Sequence, residues 1–201
     1  MRKNVKLQIQ KLVLKVALRP KKQNLVARNN QTSNLLLMVN LYNEEELARI
    51  EKIKETNDKL EEFFNNKRVE WTSNVEPLFE VIKNNFNLES FSKVVEAQSI
   101  ALSFRQAINE QISFFLNKRS KEEVKLKKVK QDKFMFYALG IGLKTSLGEK
   151  NTLIDAHIGE NERNIQLIEN YVEFLRSTSK NLEALGFTIK NIIELMNYLG
   201  R

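Results

Sequence analysis

A helical spacing of apolar residues runs through most of the chain and constrains its fold more than any other feature. From Asn43 onward, aliphatic and aromatic side chains recur every three or four residues, as on one face of an α-helix. Asn43 is a candidate N-cap, and the three glutamates after it suit the positive end of a helix dipole. Because the 201 residues include only 2 prolines and 6 glycines, the pattern predicts a mainly α protein, a bundle of long helices.

Several residues that disfavour helices interrupt this pattern. We expect a break at residues 65–68, an interruption or restart at Pro77, and one long helix from Leu88 to about Phe136. The most regular stretch comes last, where an a/d heptad pattern leads up to Gly186. Because a new apolar stripe follows this glycine, the sequence predicts a sharp helix-turn-helix corner there, in the geometric sense only.

The first 42 residues have a different texture. Apolar and basic residues alternate through residues 11–20, and such alternation is typical of strands. Residues 19–24 resemble a turn, with return strands expected at residues 25–28 and 34–42. We therefore predict a basic, β-hairpin-like arm; a helical segment, cationic and free of acids like an organelle import signal, is the alternative.

The alternating pattern of the first 42 residues and the helical spacing of the rest predict two domains. The arm would occupy residues 1–42, and a helical domain would occupy residues 43–201. Within the helical domain, we expect an extension at residues 43–86 and a core at residues 87–201. A chain in which 42% of the residues are apolar can bury one sizeable core of this kind.

The sequence carries no recognisable signal for catalysis. It has no cysteine, and its single histidine, His157, has no second histidine nearby to support a metal site; we expect a surface loop histidine. Residues 140–146 contain glycine, lysine and threonine without the spacing of a P-loop. No apolar run reaches the roughly 20 residues that span a bilayer. The sequence predicts a non-enzymatic protein without cofactor, metal or membrane span.

Positive charge is concentrated in two segments. The formal net charge is +8, whereas residues 1–28 alone carry +9 and residues 118–133 carry +5, which leaves −6 for the remainder. Such concentration indicates a polyanionic partner. An anionic membrane surface and a solvated arm without a partner are the alternatives.

The second basic segment leads directly into an aromatic cluster. Lysines that hold phosphates, together with rings that stack on bases, bind single-stranded nucleic acid without reading its sequence. The rings could equally belong to the core. The predicted nucleic-acid-binding residues are Lys125, Lys127, Lys128, Lys130, Lys133, Phe136 and Tyr137.

Two stretches resemble the phage recombination mediator (UvsY-like) family. Residues 127–140, KKVKQDKFMFYALG, are similar to a basic helix of that family that runs into an aromatic pair and a glycine. Residues 186–191, GFTIKN, resemble the Gly-Phe step and Ile-Lys-Asn that precede its last amphipathic helix. The resemblance covers about residues 87–201. It departs at Leu195, where the family usually carries tryptophan, and at His157, which replaces an acid.

The resemblance implies a non-catalytic, all-helical protein that acts in the cytoplasm, which is the host cytoplasm for a phage-encoded chain. Such proteins form ring-like homo-oligomers, bind single-stranded DNA, help to displace the single-strand-binding protein and load a RecA-like recombinase. The apolar C-terminal stripes would supply the subunit contacts. The predicted oligomerisation residues are Ile168, Val172, Leu175, Leu182, Phe187, Ile189, Ile192, Ile193 and Met196.

The basic arm supports a different function. In a structural or assembly protein of a virion or ribonucleoprotein, the arm would contact neighbouring subunits or nucleic acid, and the helices would be the scaffold. A third reading is a peripheral membrane protein that uses the arm on anionic lipid.

Overall fold

Three long helices account for almost all of the described chain. The computed structural model describes residues 25–84, 91–137 and 147–200. They form α1 (Leu25–Asn84), α2 (Phe91–Met135) and α3 (Leu147–Leu199), with no strand in these ranges. At 1.5 Å per residue the helices are about 90, 70 and 80 Å long. The prediction of a mainly α protein with long helices is confirmed for this part of the chain.

Helix α1 continues through both positions at which an interruption was expected. Residues 65–68 and Pro77 lie inside it. Polar residues at 65–68 do not end the helix, because Phe64 before them and Trp71 after them are buried on the same face. Proline inside a helix costs about 3 kcal/mol, and burial of neighbours such as Leu78 offsets that cost.

The predicted helix-turn-helix corner at Gly186 is wrong, because α3 runs through this residue as one helix. Leu182, Leu185, Ile189 and Ile192 are all buried, so a single apolar face continues across the glycine. Glycine costs about 1 kcal/mol relative to alanine in a helix interior. Each buried aliphatic side chain contributes roughly 1.5–3 kcal/mol, so the packed face decides the outcome. The second stripe in the sequence is therefore the continuation of the first.

The predicted arm falls partly within α1. Residues 25–42 form the beginning of this helix, which differs from the return strands expected there. Residues 1–24, with the alternating apolar pattern, lie outside the described residues, so a basic arm in that segment stays a prediction.

Contacts in space divide the chain into two units, and each unit contains part of all three helices. Unit 1 comprises Met1–Glu51 and Lys130–His157, and unit 2 comprises Lys52–Val129 and Ile158–Arg201. The sequence predicted a division of the chain into consecutive segments, with boundaries after residues 42 and 86. These units do not test that division, which stays a prediction.

In unit 2, α1 and α3 run parallel to each other and α2 runs antiparallel to both. Residue numbers rise together in contacts between α1 and α3, and they run in opposite directions in contacts that involve α2. The pairs are Asn57–Asn164 and Phe64–Tyr171 for α1 with α3, and Asn109–Ser179 and Arg119–Glu169 for α2 with α3. Unit 2 is therefore an up-down-up three-helix bundle.

Three aromatic rings, one from each helix, form the centre of unit 2. Phe64 stacks on Tyr171 with ring centroids 4.4 Å apart and planes inclined by 13°. Phe115 meets these two rings edge-on at 5.3 and 5.1 Å. All three side chains are buried, and aliphatic residues extend the cluster along the helices. The apolar stripes of the sequence thus pack against one another within a single chain.

A polar residue interrupts the apolar seam of α1. Asn57 is fully buried and lies seven residues before Phe64. Its Nδ2 donates hydrogen bonds to the backbone oxygen of Glu160 at 2.7 Å and to Glu160 Oε2 at 3.1 Å. Its Oδ1 accepts a hydrogen bond from Asn164 Nδ2 at 2.7 Å. The buried amide is therefore satisfied by α3.

Candidate polyanion-binding surface

The C-terminal third of α2 presents lysines to solvent. Leu126 and Val129 are partly buried and mark the side of the helix that packs inward. Lys125, Lys127 and Lys128, which flank Leu126 and Val129 in sequence, are exposed. Their side chains therefore lie on the solvent side of α2.

Four lysines follow one line along α2. Lys118, Lys121, Lys125 and Lys128 are separated by three, four and three residues, which places them on one side of a helix with 3.6 residues per turn. We call these four residues the lysine stripe. It is about 15 Å long at 1.5 Å per residue. Lys118 and Lys121 were not among the predicted binding residues, although their helical spacing from Lys125 indicates the same side of the helix.

The remaining exposed lysines of the run lie on the other flank of α2. Each residue advances about 100° around a helix, so Lys127 and Lys130 are turned away from the stripe across the exposed side. Both are exposed. A single bound strand that follows the stripe would therefore contact Lys127 and Lys130 less directly.

The acidic residues near the stripe are largely engaged. Glu122 Oε1 pairs with Lys125 Nζ at 2.7 Å, and Arg119 bridges Glu123 at 3.0 Å and Glu169 at 3.4 Å. Within the described residues, Lys121 and Lys128 form no ion pair. The three glutamates nearby pair with Arg119 and Lys125 instead. Exposed ion pairs contribute little and are screened by salt, so Lys125 can exchange Glu122 for a phosphate. The stripe is therefore a line of positive charge.

Lys133 is buried, unlike the other lysines of the run. Its side chain in unit 1 is only 5% exposed, and Nζ donates to Glu46 Oε1 at 2.5 Å. A buried ammonium needs a paired anion, and Glu46 supplies it from α1. We therefore leave Lys133 out of the proposed phosphate contacts.

The two predicted stacking rings are half-buried. Phe136 and Tyr137 follow the last turn of α2 and meet edge-to-face with centroids 5.3 Å apart and planes inclined by 76°. The hydroxyl of Tyr137 is 2.6 Å from Nε2 of His157. A half-buried ring that is hydrogen-bonded at its tip offers little open face to a base. We therefore assign the rings to packing in unit 1 and not to the binding surface.

Unit 1 contains a polar cluster built from all three helices. Glu46 of α1, Lys133 of α2 and His157 of α3 lie together with Tyr137. His157, expected in a surface loop, lies in α3 with its side chain 12% exposed. In the ranges that the structure describes, no three His, Cys, Asp or Glu side chains are grouped closely enough to hold a metal ion.

The charge state of His157 is set by this cluster. Burial lowers its pKa most, followed by the nearby ammonium of Lys133. The Glu46 carboxylate opposes them and raises the pKa, and Arg49 lowers it again. The net direction is below the usual value of 6.5, so the folded protein favours a neutral imidazole.

Most of the predicted oligomerisation residues are covered within the chain. Six of them are buried in the core of unit 2, and Ile193 and Met196 pack partly buried against the same core. Phe187 differs, since it is 63% exposed. The six buried residues are Ile168, Val172, Leu175, Leu182, Ile189 and Ile192.

No helix in the described ranges combines the length and the apolar composition that crossing a membrane requires. Comparison of the chain with protein-family models, with curated proteins and with solved structures found no match in any of the three.

Proposed function

We propose that this chain is a non-enzymatic, helical protein that binds single-stranded DNA along the lysine stripe of α2. The observation that carries the proposal is the alignment of Lys118, Lys121, Lys125 and Lys128 on one side of α2. The stripe belongs to a chain whose residues outside the two basic segments sum to −6. Positive charge that is concentrated in a chain whose remainder is net negative indicates a partner that carries closely spaced negative charge.

Binding along the stripe is mainly electrostatic. Each lysine that neutralises a phosphate releases condensed counterions, and the affinity gains a dependence on salt with a slope of about −0.7 per contact for single strands. Because the rings at the end of α2 are half-buried, stacking adds little. The protein would bind strands of different sequence with similar affinity.

In its more specific form, the proposal is a recombination mediator. This form rests on the sequence resemblance of residues 127–140 and 186–191 to the phage recombination mediator family. The resemblance at residues 186–191 is one of sequence only, because α3 continues through Gly186 without a corner. The protein would act in the cytoplasm with single-stranded DNA, a single-strand-binding protein, a RecA-like recombinase and further copies of itself.

Fluorescence anisotropy with a labelled oligothymidine tests the basic proposal. We expect Lys121→Ala with Lys128→Ala to weaken binding at least several-fold at low salt. Lys59→Ala with Lys180→Ala is the matched control, since it removes the same charge from exposed positions of α1 and α3. Equal losses in the two double variants would show that net charge, and not the stripe, governs binding.

A structural or assembly protein is the second candidate, and an exposed apolar surface favours it. Phe187, Leu195 and Tyr198 are 63%, 53% and 80% exposed on the side of α3 opposite Ile189 and Ile192. Large apolar side chains in such a group are typical of contacts with another protein surface. Sedimentation of the full chain, with Phe187→Ser and Tyr198→Ser as the test variant, would detect an assembly that depends on this surface.

A further inference from the structure

We propose that His157 makes unit 1 sensitive to acid: protonation of its imidazole disrupts the side-chain contacts that join the three helices in that unit.

The geometry of the polar cluster places the imidazole between two helices. Nε2 of His157 lies 2.6 Å from the hydroxyl of Tyr137, at the end of α2. On the other side of the ring, Nδ1 lies 3.8 Å from Glu46 Oε2 of α1. Nδ1 is buried and makes no hydrogen bond with any described residue. The ring of α3 therefore contacts both neighbouring helices through its two nitrogens.

The carboxylate of Glu46 selects the tautomer of the neutral ring. A neutral imidazole has one N–H donor and one acceptor nitrogen. The N–H is favoured at Nδ1, where it faces a carboxylate, and this leaves Nε2 to accept the hydrogen of the Tyr137 hydroxyl. In this arrangement the N–H at Nδ1 of His157 points toward the Glu46 carboxylate. The hydroxyl of Tyr137 donates to Nε2 of His157.

Protonation reverses one of these hydrogen bonds. Both nitrogens of an imidazolium are donors, so Nε2 would have to donate to the oxygen of Tyr137, and the phenolic hydrogen would have to rotate away. A buried ring would also become positive beside Lys133 and Arg49.

The charged groups around the ring do not compensate for this change. Arg49 and Glu46 lie on α1, and Lys133 lies on α2 beside the neutral Tyr137. Glu46 is the one carboxylate among them, and it already binds Lys133 through Oε1 and contacts Arg49 at 3.7 Å. A third cation would share a carboxylate that two others occupy.

The direction of the pH effect follows from the lowered pKa of His157, caused first by burial and then by Lys133. The unfolded chain, with an ordinary pKa of about 6.5, binds the proton more readily than the folded one. The contribution of the neutral ring to stability is therefore complete above about pH 6.5. It is lost as the pH falls from there through the lower pKa of the folded state.

The effect is confined to unit 1 because the chain contains a single histidine. The core of unit 2 consists of aromatic and aliphatic side chains that do not titrate near pH 6. Mild acid should thus open contacts in one unit while the other keeps its protection.

Amide hydrogen exchange of the full chain at pH 7.5 and pH 5.5, corrected for intrinsic rates, tests the proposal. Peptides from residues 44–51, 130–137 and 147–157 should lose protection at pH 5.5 by up to about tenfold, the limit for one group with an unfolded pKa near 6.5. Peptides from residues 165–192 should change by much less. The same change in both sets, or no change in either, would overturn the proposal.

The matched variant is His157→Gln, which keeps an acceptor for Tyr137 and does not titrate. It should hold the protection of unit 1 constant between the two pH values, and a response equal to that of the natural chain would contradict the proposal. If this variant weakens unit 1 at both pH values, the imidazole signals of the natural chain decide the question. A folded pKa at or above the ordinary value would exclude a histidine-driven opening.

Discussion

Tyr171 of α3 donates its phenolic hydrogen to Gln111 Oε1 of α2 across 3.2 Å. The same oxygen lies 3.4 Å from Nε1 of Trp71 of α1 and accepts its hydrogen. One amide therefore connects all three helices of unit 2. Both donors belong to buried side chains, and buried donors need partners.

Replacement of Gln111 by alanine should destabilise unit 2 strongly. The change leaves two buried donors without an acceptor, and each such group costs about 1–3 kcal/mol. We expect the free energy of unfolding, measured by urea titration with circular dichroism, to fall by roughly 2–4 kcal/mol. Gln106→Ala is the control, since Gln106 is exposed and bonds only to Glu110 of its own helix in the described structure. Equal effects of the two substitutions would contradict the shared hydrogen bonds.

Replacement of Gly186 by alanine should stabilise the chain. A methyl group added at this position meets nothing within 4 Å, and alanine is favoured over glycine by about 1 kcal/mol inside a helix. For a chain of this size we expect the melting temperature to rise by roughly 2–4 °C. A clear decrease would indicate that Gly186 occupies a turn and that α3 is not continuous there.

Replacement of Glu46 by glutamine should weaken unit 1 through Lys133. The substitution removes the carboxylate that binds a buried ammonium, and loss of one partner of a buried pair typically costs about 3–5 kcal/mol. Hydrogen exchange in residues 44–51 and 130–137 should rise sharply. Adding Lys133→Met should restore much of the protection, because the buried charge that Glu46 bound is then gone as well. Additive losses in the double variant would argue against a direct pair.

Salt dependence of DNA binding should identify the lysines that contact phosphates. Alanine at all four positions of the lysine stripe should reduce the slope of log affinity against log salt by about 3, given about 0.7 for each contact. Lys133→Met should leave the slope unchanged, because Lys133 is buried with Glu46. A large effect at Lys133 with none at the stripe would contradict the assignment of the phosphate contacts to the stripe.

Deletion of residues 1–24 should separate the two proposed functions. A mediator that binds through α2 should keep most of its affinity for the strand and its state of association. A structural protein that relies on its basic arm should lose assembly. Sedimentation and anisotropy on the same sample distinguish these results.

The helices could be predicted because their signal is local. The expected helix from Leu88 to about Phe136 is close to the observed Phe91–Met135. The continuity of α3 at Gly186 could not be predicted in the same way, because it depends on burial against other helices. A heptad pattern also does not show whether its partner helix belongs to the same chain or to another copy. Residues such as Leu175 pack against helices of the same chain.

The polar cluster of unit 1 could not be predicted from local sequence patterns for another reason. Glu46 and Lys133 are 87 residues apart in sequence, and neither position looks unusual on its own helix. The lysine run suggested solvent exposure for every lysine in it. Only the packing of α1 against α2 shows that Lys133 is held by a carboxylate.

The buried amide of Asn57 has a consequence for how the helices align. In a bundle whose apolar residues repeat every seven positions, one helix can shift along another by one repeat and still place apolar side chains opposite each other. Sliding α1 along α3 would take Asn57 away from Glu160 and Asn164 and strand its amide in an apolar seam, at a cost of roughly 1–3 kcal/mol. One polar side chain thus penalises shifted alignments and favours a single register, which the surrounding hydrophobic contacts alone would leave degenerate.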